Sequence, residues 1–198
     1  MQQFSIRAGF DPAHRDTIAR LYWQAFSAKL GPLMRPEAKA QAFLTRVLNP
    51  DFAISAISPD GNILGAAGFK TDKGALVGGD LPDLAAAYGW LGTLWRAPLL
   101  SLLERDLAPD CLLMDGIFVS EAARGMGIGS ALLEAIKAEA AERGLREVRL
   151  DVINTNPRAR ALYERQGFVA GETQHLGPLK HLFGFSSSTT MRYSVSAK

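Results

Sequence analysis

The stretch from Leu112 to Ile153 limits the fold more than any other part of the chain. An apolar run, Leu112 to Val119, enters a short loop, and the loop ends in glycines at alternate positions, Gly125, Gly127 and Gly129. These open a helix, Ile128 to Arg143, with Ile128, Leu132, Ala135, Ile136 and Ala140 on one face and Gly144 closing it. A second strand, Glu147 to Ile153, follows. Strands need a sheet to join, and an amphipathic helix needs a face to cover, so this order predicts a mixed α/β arrangement around one sheet.

The remaining segments supply neighbours for that sheet. Phe4, Ile6 and Ala8 alternate with polar residues, which predicts a first strand. Asp11 before Pro12 is an N-cap with proline at the first helical position, and Ile18, Leu21, Tyr22, Ala25 and Phe26 then form one apolar face. A second helix is predicted from Pro36 to Leu48, stopped by Asn49-Pro50. Phe52 to Ile57 and Ile63 to Phe69 read as a hairpin around Ser58-Pro59-Asp60-Gly61-Asn62. Later come a helix from Pro157 to Gln166, closed by Gly167, and strands at Phe168 to Ala170 and Met191 to Val195. With 198 residues the expectation is one domain, residues 1–198, carrying an apolar helical insertion at about 81–107.

Leu84 to Leu103 within that insertion has the length of a membrane span. It also contains Gly89, Gly92, Arg96 and Pro98, and an unpaired arginine there costs about 3 kcal/mol on insertion scales. Two short helices buried in protein, the second starting at Pro98, are expected instead. The 22 basic and 20 acidic side chains leave a net charge of +2, which predicts no broad attraction to nucleic acid or to a membrane. The single cysteine, Cys111, excludes an internal disulfide and is expected as a small buried group at a strand start. His14, His175 and His181 show no pairing suited to a metal or a triad, so no metal is expected. Met1 to Arg7 lacks the blocks of a secretory signal, and a cytoplasmic location is expected.

Glycines allow close approach of backbone N–H groups to a ligand, and a helix start adds unpaired donors and a positive dipole end. The loop is therefore a candidate phosphate site. A Walker loop is excluded because no lysine precedes Ser130. A dinucleotide fingerprint fits poorly, since its first glycine would come six residues after Val119, although Asp151 stands at a tempting distance for a ribose-binding acid. A glycine-rich turn with no ligand is the plain alternative.

Arg124-Gly125-Met126-Gly127-Ile128-Gly129 resembles the acyl-CoA signature of the GCN5-related N-acetyltransferase family, Arg/Gln-x-x-Gly-x-Gly/Ala. Asn156, Ala159, Leu162, Tyr163, Gly167 and Phe168 resemble a second block of that family, in the right order and at the right distance. The close likeness covers about 112–171, and the insertion at 81–107 departs from it. The resemblance implies a single mixed, mostly antiparallel sheet flanked by helices, with acetyl-CoA as acyl donor. It implies that the main chain of Phe118 and Val119 pairs with the pantetheine arm, and that the backbone of Arg124, Gly125, Met126, Gly127, Ile128, Gly129 and Ser130 holds the pyrophosphate. Asn154 or Asn156 would contact the cofactor amides, Asn156 also capping the helix that follows.

Tyr163 is the expected general acid for the departing thiolate, because a phenol stays protonated at neutral pH. A core tyrosine on the same apolar face is the alternative. Asp115 is the expected general base, with Glu121 and Asp151 as options. The acceptor, an amine, is placed between the apolar insertion and the Gly177 to Phe185 connection; a hydrophobic flap or a homodimer contact explains those residues as well. The leading expectation is an N-acetyltransferase working by direct attack in a ternary complex. A non-catalytic acyl-CoA-binding regulatory module on the same fold, and more distantly a nucleotide-dependent oxidoreductase, are the rivals.

Overall fold

Apolar alternation in the strands and glycine at their ends yield an eight-stranded sheet in the computed structural model, which describes residues 4–101 and 106–195. The strands are β1 (Ser5–Ala8), β2 (Ala53–Ile57), β3 (Ile63–Thr71), β4 (Gly74–Ala75), β5 (Cys111–Val119), β6 (Glu147–Ile153), β7 (Val169–His175) and β8 (Ser187–Ser194). Their order is β1-β2-β3-β5-β6-β8-β7, with β4 folded back on β3. Every pairing is antiparallel except β5 with β6. The expected mixed, mostly antiparallel sheet is the one observed.

The helices are α1 (Arg15–Met34), α2 (Glu37–Val47), α3 (Leu81–Ser101), α4 (Ile128–Glu142), α5 (Pro157–Arg165) and the short α6 (Lys180–Phe183). Both α1 and α4 pack on β3 and β5, α1 together with α2 and α3 on one face and α4 on the other. Leu132, Leu133 and Ile136 of α4 are completely buried against the sheet, each contributing about 1.5–3 kcal/mol by burial. Cys111 is buried at the start of β5 as expected, and burial pushes its thiol up to about 11.

Three expectations need correction. The break in α3 falls at Gly89 (φ 72°, ψ 163°), not at Pro98, which lies inside the second helical piece. Glycine alone reaches that backbone region readily, and the Leu94 carbonyl, which proline leaves without a partner, belongs to a residue open to water. Nor is the segment buried: Leu84, Tyr88 and Thr93 face inward, while Trp90, Leu91 and Leu94 are 69%, 86% and 75% exposed. Among the described residues no helix is long and apolar enough to cross a membrane. Residues 102–105 of the expected insertion lie outside the described residues.

The last two strands are also longer than expected, and start earlier in the case of β8. Both are polar. β7 is an exposed edge, so no apolar alternation marks it. Ser188, Thr189 and Thr190 of β8 are buried, and the two threonine hydroxyls have partners, Thr189 with Thr173 at 2.9 Å and Thr190 with Asp151 at 2.6 Å.

Arg96, which first argued against a membrane span, is a structural clamp. Its Nε donates to the Leu33 carbonyl at 2.7 Å, its Nη2 to Arg35 at 3.4 Å, and its guanidinium lies 4.3 Å from the centre of the Tyr88 ring. A cation on the last carbonyls of α1 complements the negative end of that helix. The Tyr88 hydroxyl donates to the neighbouring Met34 carbonyl, and Arg46 pairs with Asp83 at 2.6 Å. Together these tie α3 to α1 and α2 over one face of the sheet.

Candidate active site

Two irregularities in β5 build the site. The first is a fork. The parallel ladder between β5 and β6 spans only Cys111 with Glu147, Leu112 with Val148, and Leu113 with Arg149. Beyond that point β5 continues to Val119 and β6 to Ile153 without pairing each other, so the facing main chain of β5 has no ladder partner. The second is a bulge. Gly68 faces Gly116 and Phe69 faces Met114, which leaves Asp115 as an extra residue on β5. A bulge turns a side chain away from the regular alternation. Here Leu113, Met114 and Asp115 all line one cavity of about 590 Å³.

That cavity opens at the fork under α1, α2 and α3, with Asp115 and Asp151 on its sheet side and Leu30, Met34, Leu84 and Leu100 on its walls. The Asp115 Oδ2 is out of contact with solvent and has no hydrogen-bond partner among the described residues. Burial pushes the carboxyl up to about 6, against the opposing pull of Lys70, Lys29 and the Leu76 main chain. Tyr22 lies in the same cavity, and burial followed by the Asp115 charge holds its phenol well above the ordinary range. A larger hollow of about 720 Å³ lies on the outer faces of α1 and α2, lined by Asp16, Arg20, Glu37 and Thr45. It shares no residue with the fork and is not the candidate.

The glycine loop sits at the open end of β5. Gly125 and Gly127 adopt φ of 86° and 81°, a region costly to residues with a Cβ, and Gly127 is the N-cap of α4. Among the described residues, no hydrogen bond runs from the main-chain N–H groups of Gly125, Met126, Gly127, Ile128, Gly129 or Ser130 to a protein acceptor. Arg124 differs from the other loop residues. Its N–H is engaged by the Glu121 carbonyl at 3.3 Å, and its exposed side chain pairs with the Glu121 carboxylate at 3.2 Å.

The other site residues stand as follows. Phe118 is buried against Tyr22 and Phe26, while its main chain and that of Val119 border the fork. Asn154 accepts from the N–H groups of Ser186 and Ser187 at 3.0 and 3.2 Å, joining the end of β6 to β8. Asn156 caps α5 by accepting from Ala159 at 3.1 Å. Tyr163 is buried on α5 against Phe168, with ring centres 6.0 Å apart, and burial raises its phenol above the ordinary range. Its hydroxyl makes no hydrogen bond among the described residues. Asp151 accepts from Thr190 and lies 3.6 Å from Arg149. Glu121 is exposed on a turn and does not line the cavity.

The structure thus brings Asp115 and Asp151 together, and leaves Tyr163, Asn154, Asn156 and the glycine loop outside the cavity lining. It adds Lys29, Lys70 and Tyr22, which sequence reasoning missed. The expected strand stopped at Phe69, one residue before Lys70; the observed strand runs to Thr71, and its pairing of Lys70 with Leu113 carries the lysine to the fork. Among the described residues no cluster of histidine, cysteine or carboxylates could hold a metal.

Comparison with known proteins agrees with this geometry. The family model described as the acetyltransferase (GNAT) family matches residues 15–168. Among solved structures, a GCN5-related N-acetyltransferase from Kribbella flavida aligns over 97% of this chain and 98% of its own, with a TM-score of 0.65 and 18% identity. A phosphinothricin acetyltransferase from Sinorhizobium meliloti, in complex with AcCoA, aligns over 99% and 90% with a TM-score of 0.62 and 17% identity. The ribosomal-protein-S18-alanine N-acetyltransferase from Escherichia coli aligns over 98% and 96% with a TM-score of 0.55 and 16% identity. At such identities these structures establish the fold and not a shared acceptor; no curated protein matches the sequence. With the family model spanning most of its length, the chain belongs to the GNAT family of acetyltransferases.

Proposed function

We propose that this chain transfers an acetyl group from acetyl-CoA to a primary amine, by direct attack while both are bound. The observation that carries the reading is the fork. Unpaired main chain on β5 leads from a helix N-terminus with uncommitted donors to a buried carboxylate with one oxygen that has no hydrogen-bond partner among the described residues. The N–H groups of Gly125 to Ser130 suit a pyrophosphate. The main chain of β5 on its fork-facing side, along Phe118 and Val119, suits the amide groups of a pantetheine arm, much as an added strand would. Either Asn154 or Asn156 has its NH₂ group left for a cofactor carbonyl, since among the described residues only the oxygen of each is used in the fold. The Arg124 side chain, paired only at the surface, can turn to the phosphates. The S. meliloti structure, solved with AcCoA, supports the choice of donor.

The reaction divides between two side chains. The acceptor nitrogen attacks the thioester carbonyl and the C–S bond breaks. Asp115, ionised above about pH 6, takes the proton from the nitrogen. Tyr163 donates to the sulfur as thiolate charge develops there. Its raised pKa makes full proton transfer less favourable, and a strong hydrogen bond to the thiolate performs the same service.

The test is calorimetric titration with acetyl-CoA, followed by measurement of free thiol with a panel of amines. Micromolar binding and acceptor-dependent thiol release are expected. Binding of acetyl-CoA with no release above background for any amine would favour the regulatory module, and tighter binding of NAD(P) than of CoA would favour the oxidoreductase.

A further inference from the structure

We propose that the outer face of α3 is the interface of a two-fold homodimer, one copy of the face packed on another; the inference does not depend on the acetyl-transfer reading. After the turn at Gly89 the helix sorts its residues by side. Thr93 is buried, and Ala97 and Leu100 line the cavity at the fork. Trp90, Leu91, Leu94, Trp95 and Pro98 are all exposed. They stand at i, i+1, i+4, i+5 and i+8, so they make one continuous apolar stripe over about two and a half turns. Trp95, the least open of the four large side chains, is still 46% exposed.

Area sets the scale of the partner. At the side-chain areas usual for tryptophan and leucine, the stripe exposes roughly 500–600 Å² of apolar surface. That is the top of the range, about 300–600 Å², for the largest patch on a typical monomer. A stable interface takes about 800 Å² from each partner, with an apolar centre in which tryptophan is enriched and a polar rim. The stripe supplies such a centre, and its surroundings need add only the rim.

Charge selects the occupant. The charged residues of α3 are Asp83 and Arg96. Asp83 pairs with Arg46 at 2.6 Å. Arg96 donates to the carbonyls of Leu33, Gly92 and Arg35, and its guanidinium lies 4.2 Å from the centre of the Trp95 ring. Both are answered within one chain, so the stripe meets its own copy without setting like charge against like. A helix that lies on a membrane carries lysine and arginine along its polar side; α3 has no lysine, and its arginine is committed to the fold. A second copy needs only a self-complementary surface. The rows 90-94-98 and 91-95 are i+4 ridges, and such ridges on two identical helices interdigitate. The other side of the same helix walls the cavity, so a partner on the stripe backs that wall.

Sedimentation velocity of the full chain at about 20 μM tests this, and the mass of two chains is expected. Leu91→Glu combined with Leu94→Glu should raise the dimer Kd at least about a hundredfold, because the pairing would bury unpaired charge. Both side chains are open to water in the single chain, so the variant should keep the parent's circular dichroism spectrum. Leu94→Cys, in the middle of the stripe, should link to its own copy through a short bis-maleimide, as residues near a two-fold axis meet themselves; Cys111 is buried. Val169→Glu, on the exposed edge strand β7, should leave the dimer intact. A parent that sediments as one chain would overturn the proposal. So would a dimer that survives both glutamates, one that Val169→Glu breaks, or one in which Leu94→Cys does not link. A single chain that co-sediments with phosphatidylserine vesicles, and stops doing so with both glutamates, would overturn it too and give the stripe to a lipid surface.

Discussion

Asp115 is placed by a single extra residue in β5, and its chemistry follows from where that residue puts it. With its folded pKa raised to about 6, the carboxyl keeps a proton between about pH 4 and 6 that it would lose in the unfolded chain. Its stabilising contribution is therefore complete below the unfolded value and disappears as pH rises through about 6. Asp115→Asn removes a buried charge, so at pH 8 the variant should be more stable than the parent by roughly 1–3 kcal/mol, with the difference vanishing near pH 4. Urea denaturation at the two pH values measures this. The same substitution should lower kcat/KM by about 10²–10⁴, and should abolish the inflection near pH 6 in the parent's rising pH profile. A variant with parental activity and an unchanged profile would remove Asp115 from the reaction. Tyr163→Phe isolates the other proton. The hydroxyl makes no hydrogen bond among the described residues, so the variant should melt within about 2 °C of the parent and bind CoA equally, while kcat falls roughly 10- to 100-fold. Unchanged turnover would leave Tyr163 as core packing alone.

At the scale of elements, glycine positions decide what each turn can do. Nothing lies within 4 Å of a Cβ built on Gly127, but its φ of 81° is hostile to a β-branched residue. Gly127→Val should still fold, at a cost of about 1–2 kcal/mol, yet lose most of its acetyl-CoA affinity because the side chain fills the approach to the α4 N-terminus. Calorimetry on the folded variant checks this, and parental affinity would show the loop is not the phosphate site. Gly89 has a φ of 72° with ψ of 163°, and a Cβ there also meets nothing. Gly89→Ala should therefore lower stability by roughly 1–3 kcal/mol through backbone strain alone, seen as a reduced melting temperature. An unaltered melt would mean α3 straightens without cost. These elements also show what a sequence makes legible. The loop and α4 were readable because glycine spacing and an apolar face over Ile128 to Ala140 are local signals. The bulge at Asp115 was not, since an unmatched residue exists only relative to β3. The first half of β8, Ser187 to Thr190, escaped because its buried threonines are satisfied by partners distant in sequence, Asp151 among them. The helix-start rule points to Pro98 for the break in α3, while Gly89, the weaker-looking signal, is where the chain turns.

Across the whole molecule, the sheet is two ribbons, β1-β2-β3-β5 and β6-β8-β7, joined by a parallel ladder of three residue pairs and by the packing of α4 on both sides of the fork. The weakest seam of the sheet and the proposed donor site are therefore the same place. A ligand that binds only the folded chain stabilises it by about 2.7 kcal/mol at a hundredfold excess over its Kd. For a chain of this size that corresponds to a rise of roughly 5–10 °C in melting temperature. Acetyl-CoA should produce such a rise, and an equal concentration of NAD should not. If pantetheine occupies the fork, slowed hydrogen exchange should appear at the fork-facing amides of the second half of β5, residues 114–119, and in the first turn of α4, because those amides gain partners that the protein does not supply. The hairpin of β2 and β3, on the other side of β5 from the fork, would gain protection only at its β5-facing edge. Stabilisation without protection at 114–119 would place the ligand elsewhere and separate the seam from the site. Protection there by acetyl-CoA in the Asp115→Asn variant, undiminished from the parent, would show that donor binding and proton removal are carried by different parts of one opening.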